Sequence, residues 1–204
     1  MRLPNFSFEK RLRSQGFLKI AGIDEVGRGS WAGPLVAAGV VLPDHFAPPK
    51  GFSESKSVSP IKRVEFAYLI KKAASSVSIA EVQANVIDKI GISRATDKAF
   101  RLVAKRLNPE PDFFLLDAFC IKYFPKKKQL AIVKGDKKSL SIAAASIIAK
   151  VYRDSLMIKL SKTYPLYGFG KHKGYGTHLH QDAIRTYGFT EIHRASYNLK
   201  FLAS

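Results

Sequence analysis

Two short apolar segments, joined through a sharp turn, most constrain how this chain can fold. Residues 17–24 are mostly apolar and end in acids, while residues 35–42 form a continuous small apolar run that stops at Pro43. Short runs without polar alternation are typical of strands buried on both faces of a sheet. The first run leads into an acidic pair and a flexible turn, Ile23-Asp24-Glu25-Val26-Gly27-Arg28-Gly29. Two carboxylates are therefore expected at the end of a buried strand.

The rest of the chain alternates between strand and helix patterns. Ser59 and Pro60 predict a helix start, since serine is a common cap and proline suits the first helical turn. The predicted helices are 60–74, 93–107, 141–163 and 177–187, and the predicted strands are 17–24, 35–42, 77–84, 113–117 and 129–133, with a glycine-rich loop at 168–176. This alternation predicts an α/β fold with a mixed sheet. We expect one domain over residues 1–204, in which residues from about 164 form a small helical lobe.

The charge of the chain points to a polyanionic partner. Lys and Arg number 34 against 16 Asp and Glu, which gives a net charge of +18. Nucleic acid is the simplest such partner, and a basic surface for solubility or anionic lipid is the alternative. The single cysteine, Cys120, excludes an internal disulfide. No apolar run reaches the ~18 residues of a membrane span, and the polar N-terminus does not resemble a secretory signal. A cytoplasmic protein is expected.

Four acids occupy positions suited to metal chemistry: Asp24, Glu25, Asp117 and Asp154. Phosphoryl transfer with two divalent ions requires carboxylates that converge from different elements. Each acid also has a simpler interpretation. Asp24 and Asp117 could be turn formers, and Asp154 could pair with Lys150 one helical turn earlier. Glu25 would face away from Asp24 in a regular strand unless the strand bends or ends near Gly27.

Several other residues are candidate contacts for a nucleic acid. Glycine frees backbone amides to approach a ribose, and Arg28 can fork onto phosphate oxygens; a surface ion pair is the alternative for Arg28. Tyr175, which lies between two glycines, can be presented to a sugar or packed in a core. The candidate substrate-binding residues are Gly27, Arg28, Gly29, Lys56, Ser146, Lys150 and Tyr175.

Taken together, the motifs resemble those of the ribonuclease HII family, the type 2 ribonucleases H, over about residues 20–197. The matching sequences are Gly22-Ile23-Asp24-Glu25-Val26-Gly27-Arg28-Gly29, Ala32-Gly33-Pro34, Ser55-Lys56, Leu115-Leu116-Asp117, Val133-Lys134-Gly135-Asp136, the 142–154 helix, His172-Lys173-Gly174-Tyr175-Gly176-Thr177 and Thr190-Glu191-Ile192-His193-Arg194. The resemblance implies a ribonuclease H-like fold and a monomeric endonuclease. Its substrates would be RNA/DNA hybrids and DNA duplexes that contain ribonucleotides.

The resemblance also assigns roles to residues. Asp24, Glu25, Asp117 and Asp154 would bind Mg²⁺ or Mn²⁺, two ions during catalysis, and cleavage would leave a 3′-hydroxyl and a 5′-phosphate. The Gly27-Arg28-Gly29 turn would read the ribose 2′-hydroxyl, the group that distinguishes RNA from DNA. Tyr175 would stack on the sugar of the next nucleotide at an RNA-to-DNA junction.

The chain departs from the family pattern at Ser30-Trp31, at Ala118 with the bulky segment 119–125, and at the serine after Lys56. These departures bear on substrate preference. One rival is ribonuclease HIII, for which the residues before Ile20 leave no room for an extra domain. Another is a DNA-cutting integrase-like nuclease, and a third is a non-catalytic nucleic-acid-binding module, which would not explain the four acids. No clamp-binding peptide is evident in residues 198–204.

Overall fold

A computed structural model of the chain describes residues 3–199, so most of the tail considered for clamp binding lies outside the described residues. The strands are β1 (Ile20–Val26), β2 (Leu35–Val41), β3 (Ser76–Val82), β4 (Phe113–Asp117) and β5 (Gln129–Ile132). The helices are α1 (Ser7–Arg13), α2 (Pro60–Ala73), α3 (Ala84–Ile90), α4 (Ile92–Arg106), α5 (Leu140–Thr163), α6 (Phe169–His172) and α7 (His178–Tyr187).

The five strands form one mixed sheet in the order β3-β2-β1-β4-β5. β2 runs antiparallel to both β1 and β3, whereas β1, β4 and β5 are parallel. This confirms the predicted α/β fold with a mixed sheet. Because β1 and β4 are neighbours and parallel, their carboxyl ends lie at the same edge of the sheet.

The sheet is covered on both faces, which explains why β1 and β2 lack polar alternation. Alternate residues of β2 point to opposite faces. Leu35 and Ala37 pack with α4 through Phe100 and Val103, and their neighbours pack with α2 and α5. Both faces of the two central strands are therefore dry.

The long helix α5 lies directly against β1, and Gly22 makes this approach possible. A side chain at Gly22 would collide with the backbone of Ser141 and Ile142 at the start of the helix. The hydroxyl of Ser139 caps the helix by accepting from the Ile142 N–H at 3.2 Å. α5 thus runs from the sheet centre toward the edge where β1 ends.

The structure corrects several local predictions. Helices α1 and α3 were not predicted, and α6 lies inside the predicted glycine-rich loop. In α2 the buried residues are Arg63, Phe66, Ala67 and Ile70, whereas Val64 and Tyr68 are exposed. The Thr177 side chain caps α7 by accepting from the His180 N–H. No helix within residues 3–199 has the length and apolarity to cross a bilayer.

Candidate active site

A cleft of about 460 Å³ opens where β1 and β4 end. Its wall combines acids, a glycine-containing turn and basic groups from separate elements. The lining residues are Asp24, Glu25, Val26, Gly27, Arg28, Gly29, Ser55, Lys56, Asp117, Asp136, Ser146, Lys150 and Tyr175. All the predicted substrate-binding residues and three of the four predicted acids therefore border one space.

Strand register brings the first three acids together. The last β1–β4 pair is Ile23 with Leu116, so Asp24 and Asp117 are the next residues on adjacent parallel strands. β1 continues past this last pair to Val26, and Glu25 lines the same cleft as Asp24 despite the alternation expected along a strand. The condition set for Glu25, that the strand bends or ends near Gly27, is met, since β1 ends at Val26. Its pairing with β4 stops earlier, at Ile23.

Asp136 is a fourth acid in the cleft that sequence reasoning missed. It lies in a short 3₁₀ turn after β5, in the Val133-Lys134-Gly135-Asp136 motif. The preceding Gly135 N–H donates to Asp117 Oδ1 at 2.7 Å, which ties this turn to the end of β4. A signal was present, because the motif itself was recognised, but its acid was not weighed as a ligand.

Asp154 has a different environment from the other predicted acids, and it is not among the residues that line the cleft. Its carboxylate accepts from Lys150 Nζ at 2.8 Å and lies 3.5 Å from Arg63 Nη1. The simpler interpretation of Asp154, a pair with Lys150 one turn earlier, is the one that the structure shows. Two cations compensate its charge, and Asp136, rather than Asp154, lines the cleft together with the other three acids.

The cleft acids are less compensated than Asp154, although Arg28 Nε lies 3.8 Å from Glu25 Oε1, and three of them have raised pKa values. Burial, with repulsion from Glu25 and Asp117, raises the pKa of Asp24 well above its usual range. Burial raises the pKa of Glu25 to about 7, although Arg28 acts in the opposite direction. Burial and repulsion from Asp117 also raise the pKa of Asp136. These carboxylates lie closer together than their own charges favour.

The Gly27-Arg28-Gly29 turn borders the acids, and the Arg153 side chain packs against it. Gly27 has φ +92°, and a side chain there would collide with the Arg153 guanidinium. Arg28 does not extend freely into the cleft. Its Nη1 donates to Thr96 Oγ1 at 2.8 Å, and its guanidinium lies 4.5 Å from the centre of the Phe119 ring. The backbone of the turn, rather than the arginine side chain alone, therefore forms this wall.

Arg153, which precedes Asp154 on α5, connects the turn to the tyrosine loop. This guanidinium is completely buried. It donates to the carbonyls of Pro34 at 2.9 Å, Lys173 at 2.9 Å and Ala32 at 3.0 Å. Tyr175 lies beside it, with the ring centre 5.6 Å from the guanidinium carbon. Sequence reasoning had assigned no role to Arg153.

The remaining predicted contacts differ in how available they are. Lys56 is an exposed residue at the mouth of the cleft. Lys150 lies between the carboxylate of Asp154 and the ring of Tyr175, whose centre is 5.9 Å away. Ser146 is buried and donates to the Ser55 hydroxyl at 2.8 Å. Lys56 is thus the group best placed to meet a phosphate.

The donor set fits hard divalent cations. All four acids offer oxygen, the ligand atom that Mg²⁺ and Mn²⁺ prefer, and Glu25 Oε2 is buried without a hydrogen-bond partner. Within residues 3–199, no three His, Cys, Asp or Glu side chains already stand as a ready ligand group. The fit therefore rests on the chemistry of the oxygens and on the excess of negative charge among them.

Solved structures share this architecture. Ribonuclease HII of Archaeoglobus fulgidus, solved in complex with PCNA, superposes with a TM-score of 0.75 at 26% identity over 89% of this chain and 96% of that chain. Bst-RNase HIII in complex with Mn²⁺ gives a TM-score of 0.71 at 20% identity over 91% of this chain and 70% of that chain. The fold and the carboxylate-lined cleft define a nuclease of the ribonuclease H-like class.

Sequence comparison narrows this class. The family described as Ribonuclease HII matches residues 21–200. Ribonuclease HII of Shouchella clausii is 46% identical over 197 residues, which cover 97% of this chain and 75% of that relative. The chain belongs to the ribonuclease HII family. It is a type 2 ribonuclease H, an endonuclease of a family that depends on divalent metals and acts on RNA/DNA hybrids. Neither the non-catalytic module nor the integrase-like nuclease is favoured.

Proposed function

We propose that this enzyme cuts on the 5′ side of ribonucleotides embedded in duplex DNA, as well as within RNA/DNA hybrids, and leaves 3′-hydroxyl and 5′-phosphate ends. The observation that carries this proposal is a single cleft that joins the acids to a ribose-sized wall of glycine backbone and an aromatic ring. An RNA-to-DNA junction presents one 2′-hydroxyl beside a bare deoxyribose. The turn and the tyrosine line the same cleft as the acids, and together they suit those two sugars.

In this proposal Asp24, Glu25, Asp117 and Asp136 hold Mg²⁺ or Mn²⁺. When bound, such ions supply an activated water and stabilise the leaving oxygen. The acids themselves provide the ligands, and a bound cation would favour the ionised forms of Asp24, Glu25 and Asp136, whose pKa values are raised by burial. Bst-RNase HIII, which shares this fold, was solved in complex with Mn²⁺, and this supports a divalent ion. Cleavage rates with Mg²⁺ and with Mn²⁺ would show which of the two ions the enzyme prefers.

The neighbouring groups bind and orient the substrate. Lys56 offers its ammonium to a backbone phosphate, and the amides of Gly27 and Gly29 approach the ribose because no Cβ intervenes. Tyr175 offers its ring face to the next sugar. Lys150 has a smaller direct role, since Asp154 already holds its ammonium. Ser146 lines the cleft with its hydroxyl donated to Ser55, so it supports the cleft wall rather than a phosphate.

We also propose that residues 1–204 act as one catalytic domain and that the part from about residue 164 is a small helical lobe of it. The three carbonyl contacts of Arg153 support this, because one side chain of α5 holds Ala32, Pro34 and Lys173 together. Action as a monomer in the cytoplasm accords with the reducing compartment expected from the lone cysteine. The partner PCNA, seen with the Archaeoglobus fulgidus protein, has no identified counterpart here.

The test is cleavage of an end-labelled DNA duplex that carries one ribonucleotide, beside an all-DNA duplex and a long RNA/DNA hybrid. Each substrate is incubated with Mg²⁺, with Mn²⁺ and with chelator. We expect metal-dependent cutting on the 5′ side of the ribonucleotide and no cutting of all-DNA duplex. Cutting of the hybrid alone would contradict the junction-recognition part of the proposal, and equal cutting of the all-DNA duplex would contradict the reading of the 2′-hydroxyl.

A further inference from the structure

Arg194 is a buried cation that bonds to the substrate-reading turn. Its side chain is completely buried in the segment that follows α7. Two of its nitrogens donate to the Gly33 carbonyl, Nη2 at 2.9 Å and Nε at 3.2 Å, and Nη1 donates to the Arg28 carbonyl at 3.0 Å. Nη1 also donates to the Tyr197 hydroxyl at 2.9 Å. Carbonyls and a hydroxyl, rather than a carboxylate, receive its donors.

Packing alone does not explain a guanidinium in this position. Burying a charge without an ion-pair partner is costly, and a neutral side chain of similar volume would avoid that cost. The cost is visible in Arg194, whose pKa is lowered by burial. A planar fork with several fixed donors is, however, well suited to hold two backbone carbonyls at once. Arginine is therefore favoured at position 194 because it holds the Gly33 and Arg28 carbonyls in place.

The group that Arg194 fixes is the Arg28–Gly29 peptide. The Arg28 carbonyl accepts from Arg194 Nη1 at 3.0 Å and from the Tyr197 hydroxyl at 2.6 Å. This peptide is trans, so its C=O and N–H point in opposite directions. With the carbonyl held on the protein side, the Gly29 N–H is turned away from Arg194. Gly29 lines the cleft, and the space where its Cβ would lie is open.

The Gly29 N–H is also left free for a ligand. Among residues 3–199 it donates to no acceptor, although most backbone donors in a folded chain are paired. Two donors on the Arg28 carbonyl, one of them charged, polarise the same peptide and make its N–H a stronger donor. A preorganised, polarised donor at the edge of a catalytic cleft suits recognition of a hydroxyl oxygen.

We propose that Arg194, together with Tyr197, is a positioning residue that aims the Gly29 N–H at the ribose 2′-hydroxyl of the substrate. This inference rests on the proposed function, in which the Gly27-Arg28-Gly29 turn reads that hydroxyl. Discrimination between RNA and DNA then depends on a segment far along the chain from the turn. The segment is itself anchored, since Asp88 accepts from the Ala195 and Ser196 N–H groups, each at 3.1 Å.

The decisive variant is Tyr197→Phe, which removes one donor to the Arg28 carbonyl and keeps the ring. We measure kcat and KM on a duplex with one embedded ribonucleotide, and Kd for the matching all-DNA duplex, which lacks the 2′-hydroxyl. We expect kcat/KM to fall about fivefold, the effect of one net hydrogen bond, with all-DNA Kd unchanged. Arg194→Lys, which loses the fork, should lower kcat/KM further, by about twentyfold or more.

Tyr164→Phe is the matched control. It removes a hydroxyl that donates to Glu191 Oε1 at 2.7 Å at the exposed surface of the same part of the chain. Its kcat/KM should equal that of the wild type. If Arg194→Lys fails to fold, as judged by its thermal unfolding, Tyr197→Phe still decides the matter.

The possible outcomes distinguish a failure of this inference from a failure of the proposed function on which it rests. If wild-type enzyme does not distinguish the ribonucleotide duplex from all-DNA, the proposed function fails. If wild type discriminates and Tyr197→Phe discriminates equally well, only the role of Arg194 and Tyr197 is overturned. If the Tyr197→Phe variant binds both duplexes more weakly by the same factor, the defect is a general structural one. That outcome would likewise contradict the positioning role.

Discussion

Two regions of this enzyme bury charge in opposite ways. The acidic cleft, formed by Asp24, Glu25, Asp117 and Asp136, brings like charges together with few compensating partners. The arginine junction, formed by Arg153 and Arg194, buries two cations and gives their donors carbonyl or hydroxyl oxygens. The protein leaves the charges of the acidic cleft with few partners, whereas it provides hydrogen-bond acceptors for the buried arginines of the junction.

This difference separates a site for chemistry from a frame that holds it. Charges that the protein leaves uncompensated raise the free energy of the folded state, and they persist where a ligand relieves them. Charges that are fully bonded to backbone carbonyls fix those carbonyls in place. The arginine junction joins the Gly27-Arg28-Gly29 turn to the loop that carries Tyr175. Its rigidity therefore determines the shape of the acidic cleft.

The largest expected effect comes from neutralising one acid of the cleft, Asp136, and comparing it with Asp154, whose charge neighbouring cations compensate. Asp136→Asn removes a candidate metal ligand from the cleft, and we expect kcat to fall about a thousandfold, since a metal centre contributes several kcal/mol to catalysis. Asp154→Asn removes a carboxylate held by Lys150 and Arg63. We expect it to lower kcat less than about tenfold, through substrate orientation rather than metal binding.

Both variants are compared by kcat at saturating Mg²⁺ on the single-ribonucleotide duplex. Thermal unfolding of each serves as the control for folding. A result in which Asp154→Asn is as inactive as Asp136→Asn, while both remain folded, would restore the original assignment of Asp154 as a catalytic acid. It would also show that compensation by neighbouring cations does not exclude a catalytic role.

A smaller effect is expected on stability, with the opposite sign to that on activity. The pKa of Glu25 is raised from its ordinary 4.5 to about 7. Between those values the folded protein retains a proton that the unfolded chain has released, so the free energy of unfolding falls as pH rises. Glu25→Gln removes this penalty. In chelator at pH 8 we expect the variant to be more stable than wild type by about 2 kcal/mol.

Urea unfolding at several pH values from 4.5 to 8 measures this difference. The gain should shrink toward the acid end of the range, because wild-type Glu25 is then protonated in both states. Glu110→Gln, at an exposed position, is the matched control and should change stability little at any pH. A Glu25→Gln protein that is less stable than wild type at pH 8 would show that the cleft stabilises its own charge.

The two regions also differed in how far the sequence could predict them. The strands and the main helices followed from local apolar runs and caps, and Asp24, Glu25 and Asp117 from their places at strand ends. Asp136 was missed because it lies in a 3₁₀ turn, where no strand pattern marks it. Arg194 could not be foreseen, because its bond to the Arg28 carbonyl spans 166 residues. Local patterns predict elements, whereas long-range hydrogen bonds emerge only when those elements pack.

The last contrast concerns three buried histidines beside the arginine junction. His180 Nε2 lies 3.0 Å from His193 Nε2, and His180 Nδ1 lies 3.1 Å from the Tyr175 carbonyl. The His180 ring also stacks on that of His172. Since a carbonyl only accepts, His180 carries its proton on Nδ1 and accepts at Nε2 from His193. This neutral chain of bonds holds the backbone of Tyr175.

Its response to pH should oppose that of the cleft. Burial lowers the pKa of His180 and of His193 from 6.5 to about 4. As pH falls through this interval, the unfolded chain binds protons that the folded protein does not, so stability falls on acidification. NMR titration of the histidine ring protons checks this, since the His180 and His193 signals should shift only near pH 4. A His180 signal that shifts near pH 6.5 would show that the ring chain opens readily and does not hold the tyrosine loop.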